Sequence, residues 1–579
     1  MTRQLALLAT TALAACGSDT YVIVTVDARA AVHDATALQV TLTNDSSTRT
    51  DSLDLGTHGF PVTFSVSASG RSGDLGIAVT ATDENMQPVG SGAVATTFGA
   101  KTAGVLLDSV DFVINTEYAG DQFLSDDFEA SGYQLAALAD GTWTAGFRDQ
   151  CTECNIFGRR FDSAGHPLMT VAAAGTDQFQ FNSNLTQSTA TVAVAANGST
   201  TMAVWDYLDD TSVSGVACRS IDESGTPIAD EISLATDPMF TDVVSIAAMS
   251  NGNFVVAWTG SQTTDDAVKT VVVQPDCSPL GAASTVSTVV GDFGGGQATV
   301  AASGANVMYA WLVNTTIGTA DGADVHVRVA NLNGVFSGVD TTLIDHDAST
   351  QSGAVRLVPV STGFALFVRT ASIGFMDGSA GTIGMYLLNP AGQIMSGPSL
   401  VTDQSKGDNT NGDESFGVTA RADGALLVTW HVCQNSDSTD CEVSGRLMRP
   451  TGSPVGDVFV IPNPAIANGA PIGDHTRPSA AALSDSFAVA WNDTSHQPPD
   501  GVGQAVHGRI IYPPYDDAES VIGAPCGGGQ PACATGLACS LGTDNMKRCF
   551  ATCDPSGTPP LCPAGGTCAT ADTGSACAY

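Results

Sequence analysis

Cys151 and Cys154 form a Cys-x-x-Cys pair, a spacing that supports redox exchange in dithiol enzymes. Their place in a larger pattern argues for another role. Cys154 lies five residues before Arg159 and Cys441 five before Arg446, while Cys151 and Cys433 each follow shortly after an apolar run. The four are read as two copies of one loop staple. Arg159, Arg219, Arg328, Arg446 and Arg509 could converge on a carboxylate ligand, because a guanidinium grips a carboxylate through two parallel hydrogen bonds. A group present in most units of a repeat serves the unit, however, so these arginines are expected to pair one unit with the next. Asp408, Asn411, Asp413 and Glu414 in DQSKGDNTNGDES offer hard oxygen ligands to calcium. Their spacing departs from the EF-hand pattern, and this segment, like the Asp-His-Asp at 345–347, is read as an acidic loop. No Gly-x-Ser-x-Gly elbow, His-Glu-x-x-His pair, phosphate-binding loop or dinucleotide fingerprint occurs. The expectation is a chain with no catalytic residues, no metal and no cofactor.

What must position these groups is a repeat. The stretches NGNFVVAW (251–258), DGALLVTW (423–430), SDSFAVAW (484–491) and GANVMYAW (304–311) are variants of one theme. Across the whole chain the theme ends at Phe147, Trp205, Trp258, Trp311, Val368, Trp430 and Trp491, separated by 58, 53, 53, 57, 62 and 61 residues. Five of the six tryptophans occupy this one position, which marks seven copies of a supersecondary unit. Each unit reads as an Ala-rich strand, a tight turn with Asn-Gly or Asp-Gly, an apolar strand ending in Trp, a polar loop, a third strand often carrying the arginine, another turn and a fourth strand. Four antiparallel strands in each of seven units predict a seven-bladed β-propeller over 113–515, with small residues nearest the axis. After the last third strand, VHGRIIYPP, the chain runs into prolines. VDFVIN at 110–115 resembles DVFVIP of the sixth unit and is expected to complete the seventh blade.

The flanks read differently. Residues 1–16, MTRQLALLATTALAAC, have an early Arg3, a short apolar run and small residues before Cys16, the pattern of a secretory signal. Leu13-Ala14-Ala15-Cys16 resembles the bacterial lipobox, which implies diacylation of Cys16 and a membrane anchor made of acyl chains. Gly17 and Ser18 follow in place of the Asp that retains lipoproteins in the inner membrane of enteric bacteria, so the outer membrane or cell surface is expected. Residues 20–112 contain alternating strands such as YVIVTVD and ALQVTLTN and are expected to form an immunoglobulin-like β-sandwich. Residues 516–579 carry Cys526, Cys533, Cys539, Cys549, Cys553, Cys562, Cys568 and Cys577, a disulfide framework for a segment too short to build a core. Cys218 and Cys277 are left to pair by parity. The class is all-β: charged residues make up only 14% of the chain, and short β-branched and aromatic runs dominate. A net charge of −38 repels phosphate backbones, excluding a nucleic-acid partner, and favours a soluble monomer.

The turns between strands one and two and between three and four are short. The connections from two to three and from four to one, such as DYLDDTSVSG and NDTSHQPPDGVGQ, are long, acidic and different in every unit. In an antiparallel blade both long sets leave from one face, where binding is expected. DGTWT resembles the Asp-box of sialidases but lacks its spacer residue. Lipobox, sandwich, DG-x-F-V-V-x-W units and Cys-rich tail together resemble uncharacterised surface lipoproteins of myxobacteria-like Gram-negative bacteria. That resemblance implies an envelope protein with a non-enzymatic binding or scaffold role toward a protein or glycan partner. The alternative is a propeller glycan hydrolase or lyase acting on extracellular polysaccharide, which would show paired carboxyl groups ~5–10 Å apart in the central funnel.

Overall fold

In the computed structural model the strand Tyr21–Ala28 buries every second side chain, so Val22, Val24 and Val26 face inward at 0% exposure, the two-residue period of a half-buried strand. The structure describes residues 21–513 outside residue 57 and the segments 68–70, 116–120, 125–131, 150–154, 169–176, 184–190, 210–212, 238–240, 261–266, 289–297, 318–319, 346–349, 373–380, 403–415, 434–440, 463–472 and 495–503, together with the backbone of four strands between 537 and 578. Cys16, Cys151, Cys154 and the acidic segment 403–414 lie outside the described residues. No helix among the described residues is long and apolar enough to cross a membrane.

The N-terminal module has two layers. Tyr21–Ala28 pairs with Val62–Ser67 and, in parallel, with Thr102–Ser109. The second layer is built from Ser47–Asp54, Ala37–Asn44, Asp74–Thr82 and Pro88–Thr97, and a short pairing of Gly90 with Ser109 joins the layers. One core holds Val22, Val24 and Leu107 of the first layer against Leu38, Ile77 and Val79 of the second.

The rest of the main unit is a seven-bladed β-propeller, so the all-β fold class read from the repeat holds. Blade two runs Val192–Asn197, Thr200–Leu208, Ser214–Ile221 and Ile232–Asp237, from axis to rim, and blades one and three to six repeat that order. Second strands such as Phe254–Gly260 are buried along their whole length, because neighbouring blades cover both faces. The repeated tryptophans are 0% exposed, and Trp205, Trp258, Trp311 and Trp430 share a core with the blade before them, Trp258 with Ala193, Met202 and Val204 and Trp430 with Ala354, Ala365 and Phe367.

The five arginines lie on third strands and donate backward across blade junctions. Arg159 reaches the Ile114 carbonyl at 2.7 Å, Arg219 that of Phe181 at 3.3 Å, Arg328 that of Val286 at 2.6 Å, Arg446 that of Val401 at 2.7 Å and Arg509 that of Ile461 at 2.6 Å. Each carbonyl belongs to a fully buried residue just past the fourth strand of the preceding blade, so the arginine satisfies an acceptor that would otherwise be buried without a partner. Blades three and five carry Val271 and Tyr386 at this register position.

Blade seven takes its fourth strand from the other end of the propeller sequence. His475–Ala482, Phe487–Asp493 and Ala505–Ile511 are joined by Phe112–Val113, with His507 opposite Val113, and the Ile114 amide donates to the Val506 carbonyl at 2.7 Å. The C-terminal unit, from Tyr512 to Tyr579, contains two hairpins, Leu537–Leu541 with Lys547–Ala551 and Thr567–Ala571 with Gly574–Ala578. Their registers set Cys539 opposite Cys549 and Cys568 opposite Cys577. Cys526, Cys533, Cys553 and Cys562 lie outside the described residues.

Candidate active site

The inner strands of all seven blades enclose an axial cavity of about 380 Å³ whose wall is dominated by small apolar side chains, among them Ala195, Ala247, Ala301 and Ala481. Among the described residues no acidic side chain lines it. Arg356, which is 2% exposed, lines it with its guanidinium carbon 4.9 Å from the Tyr133 ring and 5.2 Å from the Phe416 ring. Gly132 packs against the same residues: its φ is +97°, and a Cβ there would stand 2.7 Å from the Phe416 carbonyl oxygen, so only glycine fits. Among the described residues, the cavity wall offers no pair of carboxyl groups of the kind that glycoside hydrolysis uses.

A carboxylate pair does occur off the axis, at the long-connection end of blades six and seven. Glu442 is the second residue of Cys441–Met448, the third strand of blade six. His475 opens the inner strand of blade seven, and Asp493 closes the second strand opposite it. His475 Nδ1 lies 3.2 Å from Glu442 Oε1 and its Nε2 3.2 Å from Asp493 Oδ2. Asp493 Oδ2 also holds His507 Nδ1 at 3.1 Å. Because ionised carboxylates only accept hydrogen bonds, an imidazole between two of them donates from both nitrogens and is an imidazolium. Burial alone would lower the pKa of His475. The hydrogen bonds it donates to Asp493 and Glu442, together with their charges, outweigh it and push the value up to about 10. His475 and His507 both lean on Trp491, with ring centroids 6.3 and 6.4 Å away.

The result is a row of groups, Glu442, His475, Asp493 and His507, buried at the inner end and open at one point. The side chains of Asp493 and His475 are 4% and 5% exposed, whereas that of Glu442 is 24% exposed. Glu442 is held firmly: the preceding residue, Cys441, is joined by a disulfide to Cys433, and its amide donates to Asp474 Oδ1 at 3.0 Å. Chemically this is an oriented carboxylate facing outward, backed by a fixed positive charge and a second carboxylate one imidazole ring away. Such a carboxylate can accept a proton from water or attack an electrophilic carbon.

The sequence reading singled out none of these four residues. A signal for one of them, His507, is present in the repeat. The position opposite the residue that ends the repeated theme is Phe157, Ala217, Lys269, Gly384 or Ser444 in blades one, two, three, five and six but His326 and His507 in blades four and seven, and a side chain that breaks a repeat has a job the repeat does not share. The sequence-predicted arginines serve blade junctions, as described above, and do not gather at one site.

Neither a family model nor a curated protein sequence matches the chain. Solved structures do resemble it in fold. The polysaccharide lyase Uly1 matches at 7% identity over 68% of this chain and 100% of its own, with a TM-score of 0.41. The Hadza microbial sialidase Hz136 matches at 9% identity over 83% and 90%, TM-score 0.40, and Trypanosoma rangeli sialidase at 8% over 78% and 67%, TM-score 0.34. Such distant likenesses describe the fold and select no single activity. The expectation of a non-enzymatic chain is not upheld: the solved propellers of similar fold bear the names of a polysaccharide lyase and two sialidases. That expectation rested on the lack of contiguous motifs, and groups brought together from separate blades leave no contiguous motif.

Proposed function

We propose that the chain is an exported glycan hydrolase, anchored by lipid at Cys16, whose substrate face is the long-connection face of the propeller and whose outward carboxylate is Glu442. The observation that carries this reading is the Glu442–His475–Asp493 arrangement, two carboxylates on either side of one imidazolium at that face. Glu442 takes a proton from a water whose oxygen bonds the anomeric carbon as the glycosidic C–O bond breaks, and passes that proton to the departing sugar oxygen, while His475 with Asp493 and His507 holds the carboxylate in place. A neutral glycan is the favoured substrate class, because a net charge of −38 opposes the approach of a polyanion. This argues for hydrolysis over elimination, which needs a uronic acid.

The test is incubation of the purified protein with a panel of neutral and uronate-containing polysaccharides, following new reducing ends and unsaturated products separately. New reducing ends from a neutral polysaccharide, abolished in Glu442→Gln assayed well below its own melting temperature, would support the proposal. Unsaturated product from a uronate polymer, full activity in Glu442→Gln, or no cleavage of any polymer would each overturn it. The anchor is tested independently by metabolic labelling with an alkyne fatty acid, which should mark the protein but not its Cys16→Ser variant.

A further inference from the structure

At the junction between the N-terminal module and blade one, His33 and Asp34 of the former meet His166 of the latter. One ligand atom from each of these three side chains lies within 4.8 Å of the other two, and the imidazole centroids are 3.5 Å apart. Each ring is oriented by a carboxylate: His33 Nδ1 lies 3.0 Å from Asp34 Oδ2, and His166 Nδ1 lies 2.7 Å from Asp162 Oδ2. The side chains of His33 and His166 are 33% and 35% exposed, so the group is open to solvent.

The repeat shows that His166 is not there for the turn. The same turn follows the third strand in blades one to six, its first residue donating to the carbonyl of the fifth. The fifth residue is Thr226, Ser278, Val335, Gln393 or Ser453 in blades two to six and His166 only in blade one. The turn folds without histidine, and the one histidine stands where the neighbouring module supplies a second histidine and a carboxylate.

We propose that His33, His166 and Asp34 form a binding site for a divalent transition ion of the zinc class, with Asp162 as a positioning residue behind His166. Two imidazoles and one carboxylate suit such an ion and leave a fourth tetrahedral position for water. A carboxylate on the far nitrogen of a ligating histidine fixes the tautomer and the ring angle. Bonds of ~2.0–2.2 Å from a common centre require these ligand atoms, which lie within 4.8 Å of one another, to draw closer by side-chain rotation. Because the ligands come from two modules, the ion would cross-link the N-terminal module to the propeller and raise the stability of the pair by mass action.

The test uses the full-length chain, lipid anchor replaced by Cys16→Ser, oxidised, stripped with a chelator and titrated with Co²⁺ and then Zn²⁺. The expected result is a tetrahedral cobalt absorption band that saturates at one equivalent, is displaced by zinc, and comes with a raised melting temperature. His166→Thr installs the residue of blade two and should abolish the band while the metal-free protein melts as before. Asp162→Asn installs the residue that blades four and five use, Asn331 and Asn389, and should weaken binding by ~10–100-fold. His33→Gln provides a second ligand deletion from the other module. Absence of a tetrahedral band, or one-equivalent binding that survives His166→Thr or His33→Gln unchanged, would overturn the proposal.

Discussion

Cys218 and Cys277 are joined by a disulfide across blades two and three, the junction at which Val271 replaces the backward-reaching arginine. Cys277 occupies the left-handed turn position, φ 71°, where the other blades carry glycines such as Gly165, Gly225 and Gly334. A side chain pays for that conformation only where it gains something, and here the gain is a covalent link in place of a guanidinium. Five junctions are thus closed by arginine, one by sulfur, and the remaining one packs Tyr386 against the apolar cluster of blades four and five.

Opening that disulfide should destabilise the propeller strongly. The bond closes a loop spanning a sequence separation of 59 residues, for which chain entropy predicts about 4 kcal/mol. Denaturant unfolding of Cys218→Ser/Cys277→Ser against the parent should show a loss of that order.

An arginine junction is worth less. Arg446→Met leaves the Val401 carbonyl, buried at the junction of blades five and six, without its 2.7 Å donor, a cost of about 1–3 kcal/mol. Thermal melts should show a drop in a single transition, smaller than that of the disulfide variant.

Ring closure depends on the segment that precedes blade one. Ile114→Pro removes the amide that bonds Val506 at 2.7 Å and disturbs the carbonyl held by Arg159. The melting temperature of the whole propeller should fall. An unchanged melt would show that closure contributes nothing to its stability.

His475 gives the fold a pH dependence of definite sign. Its folded-state pKa of about 10 lies above the ordinary 6.5, so the imidazolium's contribution is complete below pH 6.5 and is lost as pH rises through 10. At pH 6.5 His475→Gln should be less stable than the parent by about 3–5 kcal/mol, the cost of breaking a buried ion pair. Unfolding curves between pH 6.5 and 10 should show the two proteins converge as pH rises.

The close approach of Gly132 to Phe416 makes a local prediction. Gly132→Ala places a Cβ 2.7 Å from the Phe416 oxygen and 3.1 Å from the Gly417 Cα at a φ of +97°. It should cost more than ~1 kcal/mol, whereas Gly141→Ala, with nothing within 4 Å of the added carbon and a φ of +87°, should carry the backbone cost alone. Comparing their melting temperatures isolates the contact with Phe416 and Gly417.

The sequence by itself determined the class of fold and the number of blades. Its period carries one buried aromatic per unit, Ala-rich strands where the ring is narrowest and turn residues at fixed offsets. These are local properties: strand alternation, turn chemistry and burial depend on neighbours within one unit and recur wherever the unit recurs. The role of the arginines was legible for the same reason, since a repeated residue must have a repeated partner. Only the tertiary structure decided which unrepeated residues meet. Glu442 and His475 are 33 positions apart, and His33 stands in a different module from His166. Neither pair is implied by any periodicity. They come together because blades lie side by side and the ring closes, so chemistry that breaks the repeat appears only where the surfaces of separate units touch.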